Sequence, residues 1–346
     1  MKKLFSICIP TFNRSKFLDI CLESIVAQLD GSFSSRVEVI IVDNNSSDDT
    51  EFVAAKYLKL GHDIVYVKNS TNIGLDGNLT KAFDLASGKY VQIIGDDDYW
   101  IEGKLKKAMK LMDSNDFGVF YAKAFAFKDF DEQLPKDDNL GFKFYTKPNL
   151  FLYNINILIT FTSSSIINKD LVKKDSHFKL EQFLGTELNL LNWVFTACLN
   201  SKCNIITNEH FIAAKTDNSS GYKLFQVFGL HFNSIMTFFK TKGLSQSVIE
   251  KNNFELTTSF FPHYINQARG SGFTYNDRDE EIYSFLKGYR NEDFLSRMFL
   301  LSSYNKKQHF LISFFKKIIL AYSRIKTKLK NGLGMVSGNI YKKDLT

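Results

Sequence analysis

Proline, paired cysteines and long apolar runs are scarce in this chain of 346 residues, and each scarcity excludes a class of protein. The presence of only 4 prolines argues against long disordered linkers. The cysteines Cys8, Cys21, Cys198 and Cys203 lack CxxC spacing, which predicts reduced packing residues rather than a disulfide framework or a zinc site. The apolar start of the chain stops at Pro10, and no segment reaches about 18 uninterrupted apolar residues. These absences predict a cytosolic protein that is neither secreted nor membrane-spanning.

Acidic residues are nearly missing from the end of the chain. Residues 305–346 contain ten Lys or Arg and one acid, a net charge of +9, so the first 304 residues sum to −2 within the total of +7. Between 305 and 330, apolar residues recur at helical spacing with basic residues mainly opposite, which predicts a basic amphipathic helix suited to an anionic membrane surface. A helix packed on the core is the alternative. Nucleic acid is not an expected partner, because no binding motif accompanies the charge.

Apolar runs alternate with helical patterns through the first 112 residues. Strands are predicted at Leu4–Ile9, Val37–Val42, Ile64–Val67 and Lys89–Ile94. Helices are predicted at Ser15–Gln28, Asp48–Leu60, Leu75–Ala86 and Glu102–Met112. This alternation predicts an α/β fold whose mainly parallel sheet presents ligands at the carboxyl ends of its strands.

The stretch VQIIGDDDYW, residues 91–100, carries the strongest chemical signal. An apolar strand ends at Gly95 and is followed by three adjacent carboxylates, Asp96, Asp97 and Asp98. Such a cluster at a strand end is suited to a hard divalent cation, Mg²⁺ or Mn²⁺, with substrate phosphates completing the coordination shell. A solvated acidic turn before the helix near Glu102 is the alternative.

Polar residues also follow the first two strands. Pro10, Thr11, Asn13 and Arg14 form a short loop suited to presenting backbone groups to a nucleobase edge. Asp43 directly follows four apolar residues and is placed to accept a hydrogen bond from a pyrimidine N–H, whereas the polar residues after it are explained by helix capping. The predicted site is therefore a crevice for a nucleoside diphosphate and a metal.

The ordered motifs IPTFNR, VDNNSSDDT, NIGLDGN and IIGDDD resemble the GT-A-type glycosyltransferases of family 2, closest to the O-antigen abequosyltransferase-like branch. The resemblance covers about the first 120 residues. It implies a GT-A fold, Rossmann-like with a mainly parallel sheet flanked by helices, and an α-helical C-terminal region. The expected domains are 1–222, with a nucleotide-sugar half (1–120) and an acceptor half (121–222), a helical accessory domain (223–304) and the basic tail (305–346).

The resemblance also assigns roles to individual residues. Pro10 and Thr11 would line the base pocket, and Asp43 would contact the base. The other implied nucleotide-sugar contacts are Asn13, Arg14, Asn72, Gly74, Asp76, Asn78, Asp96 and Asp97. Relatives often carry an arginine in the loop that holds Asn72 to Asn78, but Gly77 stands there in this chain, so Arg14, Lys81 or the metal must carry more of the diphosphate charge.

The acidic motif permits two alignments with the pattern of relatives. Aligned with D-x-D-D, it has Gly95 at the first acid and places Asp97 and Asp98 as the metal and ribose contacts, with Asp96 in support. Read as a literal DxD, it pairs Asp96 with Asp98. We favour Asp97 and Asp98 as metal ligands.

The reaction implied by the resemblance is sugar transfer from a nucleoside-diphosphate sugar to an acceptor hydroxyl, with a carboxylate as the base. Glu187, in FLGTELNLLNW, matches the position of the usual acidic pair, but Leu188 and Asn189 stand where a second acid is expected. An acid at a helix start is the alternative interpretation of Glu187. If Glu187 is not the base, the stereochemical outcome stays open.

The second half of the chain gives weaker signals. Leu150–Ile167 and Asn204–Ala214 contain strand-like runs, and the polar turn 162–165 is suited to meeting an acceptor. Residues 225–304 suggest Phe-rich helices for acceptor binding or homo-oligomer formation. We expect a cytoplasmic enzyme, held peripherally at the inner membrane, that extends a lipid-linked glycan of bacterial surface polysaccharide such as O-antigen or capsule. The alternative is a non-catalytic sugar-nucleotide-binding or scaffolding subunit.

Overall fold

The first half of the chain folds as the alternating pattern predicts. The computed structural model describes residues 3–261 except 131, 135, 138, 139, 217–222 and 224. The strands are β1 (Phe5–Thr11), β2 (Val37–Asp43), β3 (Ile64–Lys68), β4 (Tyr90–Ile93), β5 (Tyr99–Trp100), β6 (Val119–Phe127), β7 (Phe142–Tyr145), β8 (Ser165–Asn168) and β9 (Asn204–Lys215). The α-helices are α1 (Ser15–Val26), α2 (Gly31–Ser34), α3 (Thr50–Leu58), α4 (Gly74–Leu85), α5 (Lys104–Ser114), α6 (Pro148–Ile155), α7 (Lys169–Lys173), α8 (Leu190–Leu199), α9 (Phe232–Lys240) and α10 (Gln246–Glu255).

A single mixed sheet forms the centre of the fold. Within the described residues the sheet has nine strands: eight lie in the order β3-β2-β1-β4-β8-β6-β9-β5, and the ninth, β7, pairs with β9. The first four strands pair in parallel, because a helix carries the chain back between each of them. The predicted α/β fold with a mostly parallel sheet is therefore confirmed. Thr11 pairs with Asp43 in the register, so the carboxyl ends of β1 and β2 lie side by side.

Apolar packing stabilises the strands that form this carboxyl edge of the sheet. All seven residues of β2 are buried, and α1 buries Leu18, Leu22 and Ile25 at helical spacing in the same core as β1. Truncating one such side chain to alanine typically costs about 2–5 kcal/mol. All four cysteines are free thiols, as the spacing predicted.

The stretch Leu150–Ile167, predicted to contain strand-like runs, is extended only at its end. In the run Leu150–Ile167, α6 and two 3₁₀ turns, Asn156–Thr160 and Thr162–Ser164, precede β8, so only Ser165 onward is extended. The buried residues Phe151, Leu152 and Ile155 recur at helical spacing, and Pro148 is favourable at a first helical position. The strand expected over Asn204–Ala214 is confirmed by β9.

The described residues divide into two compact units. One unit contains residues 3–151 and 158–216, and the other contains 152–157 together with the described part of 217–261. In the second unit, α9 and α10 are flanked by π-helices at Phe225–His231 and Leu256–Phe260, which fits the predicted helical region as far as residue 261. None of the helices in the described ranges is both long and apolar enough to cross a bilayer. The predicted basic helix lies outside the described residues.

Candidate active site

Three carboxylates lie between β4 and β5, at the carboxyl edge of the parallel strands. Asp96, Asp97 and Asp98 are only 4%, 7% and 4% exposed. The Thr11 hydroxyl donates to Asp96 Oδ2 at 2.7 Å. The Arg14 guanidinium contacts both neighbouring carboxylates, with Nη1 3.0 Å from Asp96 Oδ1 and Nη2 3.0 Å from Asp97 Oδ2. The loop after β1 and the acidic motif, predicted separately from the sequence, therefore meet at one place.

Asp98 is held by groups from the second half of the chain. The Ser163 hydroxyl donates to Asp98 Oδ2 and accepts a hydrogen bond from the Gly95 N–H at 2.9 Å. The Lys215 N–H donates to Asp98 Oδ1 at 3.0 Å. Sequence reasoning placed Ser163 in a polar turn facing an acceptor and did not connect it to the acids. The only signal was the serine-rich turn directly before a strand.

Asp43 occupies the end of β2 and is fully buried. Its Oδ1 accepts from the Ser46 N–H at 2.7 Å, and its Oδ2 accepts from the Tyr66 hydroxyl at 2.6 Å. Burial and the hydrogen bond to Asp43 raise the pKa of Tyr66. Tyr66 was not predicted as a site residue, because it lies within β3. The carboxylate is thus fixed in orientation at the edge where a base contact is predicted.

The loop after β1 is tied to the loop after β2. Asn13 has a left-handed backbone with φ of +53°, and its side-chain oxygen accepts from the Ser47 N–H at 2.8 Å. The Asn13 N–H donates to Ser46 Oγ at 2.9 Å. Pro10 is half-buried and pairs with Val42 in the register. These bonds set the path of the chain that carries Thr11 and Arg14.

The donor loop, residues 72–78, is fixed by asparagine side chains. Asn72 Oδ1 accepts from Asn44 Nδ2 at 2.8 Å and from the Gly74 N–H at 2.9 Å. Asn78 Nδ2 donates to the Val42 carbonyl at 2.9 Å, and its Oδ1 accepts from Asn69 Nδ2. Gly74 has φ of +77°, a conformation that favours glycine. The structure therefore uses Asn72 and Asn78 to brace the loop, and their predicted contact with a donor stays a prediction.

Glu187 lies just before α8 in an unusual backbone conformation. Its φ is +61°, which is uncommon for a residue with a side chain, and it is half-buried. The Glu187 N–H donates to Asp76 Oδ2 at 2.8 Å. The donor loop and the candidate base are therefore directly joined, a contact that the sequence did not suggest.

Burial governs the protonation of the acidic motif. It raises the pKa of Asp98 to about 8, and repulsion from Asp97 adds to the effect. Burial also raises the pKa of Asp96 to about 6, although the Arg14 charge acts in the opposite direction. Without a cation, burial and mutual repulsion thus favour protonation of Asp96 and Asp98, and such perturbed carboxyl groups cluster at functional sites.

Comparison with known proteins identifies the domain. The family model described as glycosyl transferase family 2 matches residues 6–175. The chain carries a family 2 glycosyltransferase domain. Abequosyltransferase RfbV of Salmonella typhimurium is 37% identical over 112 residues, which are 32% of this chain and 33% of that protein. A GalNAc(5)-diNAcBac-PP-undecaprenol beta-1,3-glucosyltransferase of Campylobacter jejuni is 38% identical over 111 residues, 32% of this chain and 34% of that protein. The matches thus span about a third of these curated relatives.

A solved structure extends the likeness of fold beyond the family 2 match. S. aureus TarS 1-349 in complex with UDP-GlcNAc superposes with a TM-score of 0.60 at 19% identity, covering 93% of this chain and 92% of that one. At this identity the comparison shows the fold, which is that of GT-A glycosyltransferases. The implied GT-A architecture is therefore confirmed.

The residues of the family 2 domain fit a divalent cation. Within the part of the chain that the structure describes, no three His, Cys, Asp or Glu side chains form a closed metal cluster. Mg²⁺ and Mn²⁺, however, are often bound by one or two carboxylates together with substrate phosphates and water. Among the described residues, buried Asp97 Oδ2 accepts no hydrogen bond, and Arg14 meets it only as an ion pair. Asp97 is thus the best-placed ligand, and Asp98 stays the predicted second one with lone pairs left beside its two hydrogen bonds.

The contribution of Asp98 to stability without metal is expected to fall as pH rises from about 4 to about 8. In this window the folded state holds a proton on Asp98 that the unfolded chain releases, because the pKa of Asp98 is about 8 in the folded state and that of an unfolded aspartate is about 3.9. Urea unfolding in EDTA across this range measures the effect. Asp98→Asn should flatten the pH profile, and a profile that rises equally in both proteins would contradict the assignment.

Gly95 leaves room for the carboxylates of the acidic motif. A Cβ at this position would lie 3.0 Å from Asp97 Oδ1 and 3.2 Å from Asp98 Oδ2, so the carboxylates must shift to admit it. A small displacement of groups at a reaction centre lowers the reaction rate strongly. Gly95→Ala should therefore lower the rate of glycosyl transfer by roughly tenfold or more, with little change in Tm. Initial rates and thermal unfolding test this expectation. A Gly95→Ala rate equal to that of wild type would contradict it.

Proposed function

We propose that this chain transfers a sugar from a nucleoside-diphosphate sugar to a hydroxyl of a glycan acceptor in bacterial surface polysaccharide synthesis. The observation that carries the proposal is the meeting of Thr11, Arg14, Asp96 and Asp97 at the carboxyl edge of the sheet, beside Asp43. Relatives named as an abequosyltransferase and a beta-1,3-glucosyltransferase support it, as do TarS structures with UDP-GlcNAc and UDP.

In the proposed reaction, the acceptor oxygen forms a bond to the anomeric carbon while the bond from that carbon to the diphosphate oxygen breaks. Glu187 takes the proton of the acceptor hydroxyl. Arg14 contacts the departing diphosphate, whose negative charge a cation held by Asp97 stabilises when bound. Asp43 accepts from an N–H of the base, with Pro10 against the same base. The nucleoside diphosphate leaves with the electron pair of the broken bond.

The acceptor is proposed to be lipid-linked. The Campylobacter relative is named for an undecaprenol-linked substrate, and the basic stretch 305–330 offers charge suited to an anionic bilayer surface. The proposed arrangement is 1–222 as the catalytic domain, 223–304 as an accessory domain for acceptor binding or homo-oligomer formation, and 305–346 as the membrane contact. The enzyme would then work at the cytoplasmic face of the inner membrane.

Two observations favour a non-catalytic alternative, in which the chain binds a sugar nucleotide within a glycan assembly complex. Gly77 replaces the arginine that relatives often place toward the diphosphate, and Glu187 has no second acid beside it in the sequence. Binding of a nucleotide without release of product from any sugar nucleotide would support this alternative over the transferase.

Nucleotide binding tests the donor site directly. The full chain is titrated with UDP, CDP, GDP and dTDP, with and without Mn²⁺, and its thermal unfolding is followed. A ligand at about 100 times its Kd adds roughly 2.7 kcal/mol of stability, so a true site is visible. We expect a Mn²⁺-dependent shift with one nucleotide, lost in Asp97→Asn and kept in the exposed control Asp49→Asn. No shift with any nucleotide would contradict the proposal.

A further inference from the structure

Asp76 is a buried carboxylate on the first turn of α4, only 6% exposed. Its two oxygens accept from backbone amides 111 and 113 residues further along the chain: Oδ2 from the Glu187 N–H at 2.8 Å and Oδ1 from the Asn189 N–H at 3.3 Å. Burial raises the pKa of Asp76, and the backbone bonds from Glu187 and Asn189 act in the opposite direction by stabilising its charged form. One carboxylate thus holds two backbone N–H groups of the segment 185–189.

The backbone conformation of this segment is suited to binding an anion. Gly185 and Glu187 both have left-handed φ values, +82° and +61°. Turns of this kind direct successive N–H groups into a concave nest that binds negative charge. A left-handed glutamate is disfavoured and persists where its surroundings over-determine it. In this nest the anion is supplied by the protein itself, through Asp76.

A second set of hydrogen bonds ties the same two pieces together. The Thr80 hydroxyl donates to the Asp76 carbonyl at 2.6 Å and accepts from Asn189 Nδ2 at 2.8 Å. Asn189 Oδ1 in turn accepts from the Phe183 N–H at 3.0 Å. Hydrogen bonds therefore fix the start of α4 against the segment that carries Glu187. The donor loop is continuous with α4, which begins at Gly74.

We propose that Asp76 is a positioning residue that fixes the Glu187 backbone, and so aims the base at the acceptor, instead of contacting the donor. The inference rests on the proposed function, in which Glu187 is the base. It differs from the role that the family resemblance assigns to Asp76. The consequence is a separation of effects: donor binding does not need the Asp76 carboxylate, whereas the chemical step does.

Asp76→Asn in the full chain tests the proposal, because the amide nitrogen cannot accept the N–H bond that the lost oxygen held. We expect kcat to fall roughly 10- to 100-fold while KM for the donor, and the Kd of the nucleoside diphosphate with Mn²⁺, stay within about twofold. In a Glu187→Gln background the same change should have no further effect on kcat, since both act through one group. Asp84→Asn, exposed on the same helix, removes an equal charge and should change neither quantity.

Gly185→Ala disturbs the nest from its other side and leaves Asp76 intact. No atom of the described structure lies within 4 Å of the added Cβ, so the change acts through the +82° backbone. It should lower kcat without changing KM for the donor. If Asp76→Asn does not fold, Gly185→Ala tests whether the backbone of this segment positions Glu187. Weakened nucleotide binding in Asp76→Asn, or losses that multiply with Glu187→Gln, would overturn the positioning role. A wild-type chain that transfers no sugar would instead refute the proposed function.

Discussion

Asp97→Asn is expected to lower the rate of sugar transfer by roughly three orders of magnitude. The leaving diphosphate gains negative charge as its bond to the sugar breaks, and a cation at that position is worth several kcal/mol to the transition state. The buried Oδ2 of Asp97 accepts no hydrogen bond from the described residues and is engaged by the Arg14 ion pair, so a cation and Arg14 would share the charge of this carboxylate. Its amide would lose the charge that holds the cation. Initial rates at saturating donor and Mn²⁺ measure the loss.

The matched control for this change is Asp49→Asn, which removes the same charge from an exposed position before α3. Its rate should stay within about twofold of wild type, as expected for a surface substitution. Partial rescue of Asp97→Asn by a large excess of Mn²⁺ would agree with a ligand role. A rate within a few-fold of wild type would rule out Asp97 as the metal ligand.

Glu187→Gln is expected to lower kcat by roughly 10²- to 10⁴-fold, the usual contribution of a general base. Glutamine has nearly the same shape and cannot take the proton of the acceptor hydroxyl. Binding of the nucleoside diphosphate should be unchanged, because the bond from the Glu187 N–H to Asp76 does not involve the substituted group. Steady-state kinetics and calorimetric titration separate the two quantities.

Glu187→Gly distinguishes two roles of Glu187: that of the catalytic base, and that of an acidic residue that only stabilises the start of α8. The residue has φ of +61°, so glycine relieves a conformational cost of about 1 kcal/mol and should leave the free energy of unfolding equal or higher. Activity should nevertheless be lost. A variant that keeps its kcat would show that Glu187 serves the helix start, and the stereochemical course would need another explanation.

Local patterns predicted the first half of the fold well. The strands ending at Thr11 and Asp43 were recognised from short apolar runs, and the helices between strands from residues spaced three and four apart. The run 150–167 is a strand only at its end, and the helix before it was not predicted, because periodicity in a short apolar stretch does not separate a buried helix from a strand. Tertiary packing of Phe151 and Ile155 decided that segment.

Sequence patterns of this kind could not predict the side-chain contacts that complete the site. Arg14 was predicted, beside Lys81 and the metal, as a replacement for the arginine missing at Gly77, and its contact with the acidic motif follows from the meeting of two strand ends. The bonds from Ser163 to Asp98 and from Tyr66 to Asp43 join residues that are distant in sequence and ordinary in type. The hydrogen bond from the Glu187 N–H to Asp76 depends on a left-handed backbone conformation at Glu187, which a glutamate in the sequence does not predict.

Transfer of a labelled sugar tests the central claim most directly. The full chain is incubated with Mn²⁺, a membrane extract from the organism that encodes it, and in turn labelled UDP-, CDP-, GDP- and dTDP-sugars. The account predicts that one donor class transfers its label to the lipid-glycan fraction, and that Asp97→Asn abolishes the transfer while Asp49→Asn preserves it. Absence of transfer from every donor by a folded protein that still binds a nucleoside diphosphate would contradict the account and leave a non-catalytic binding subunit in its place.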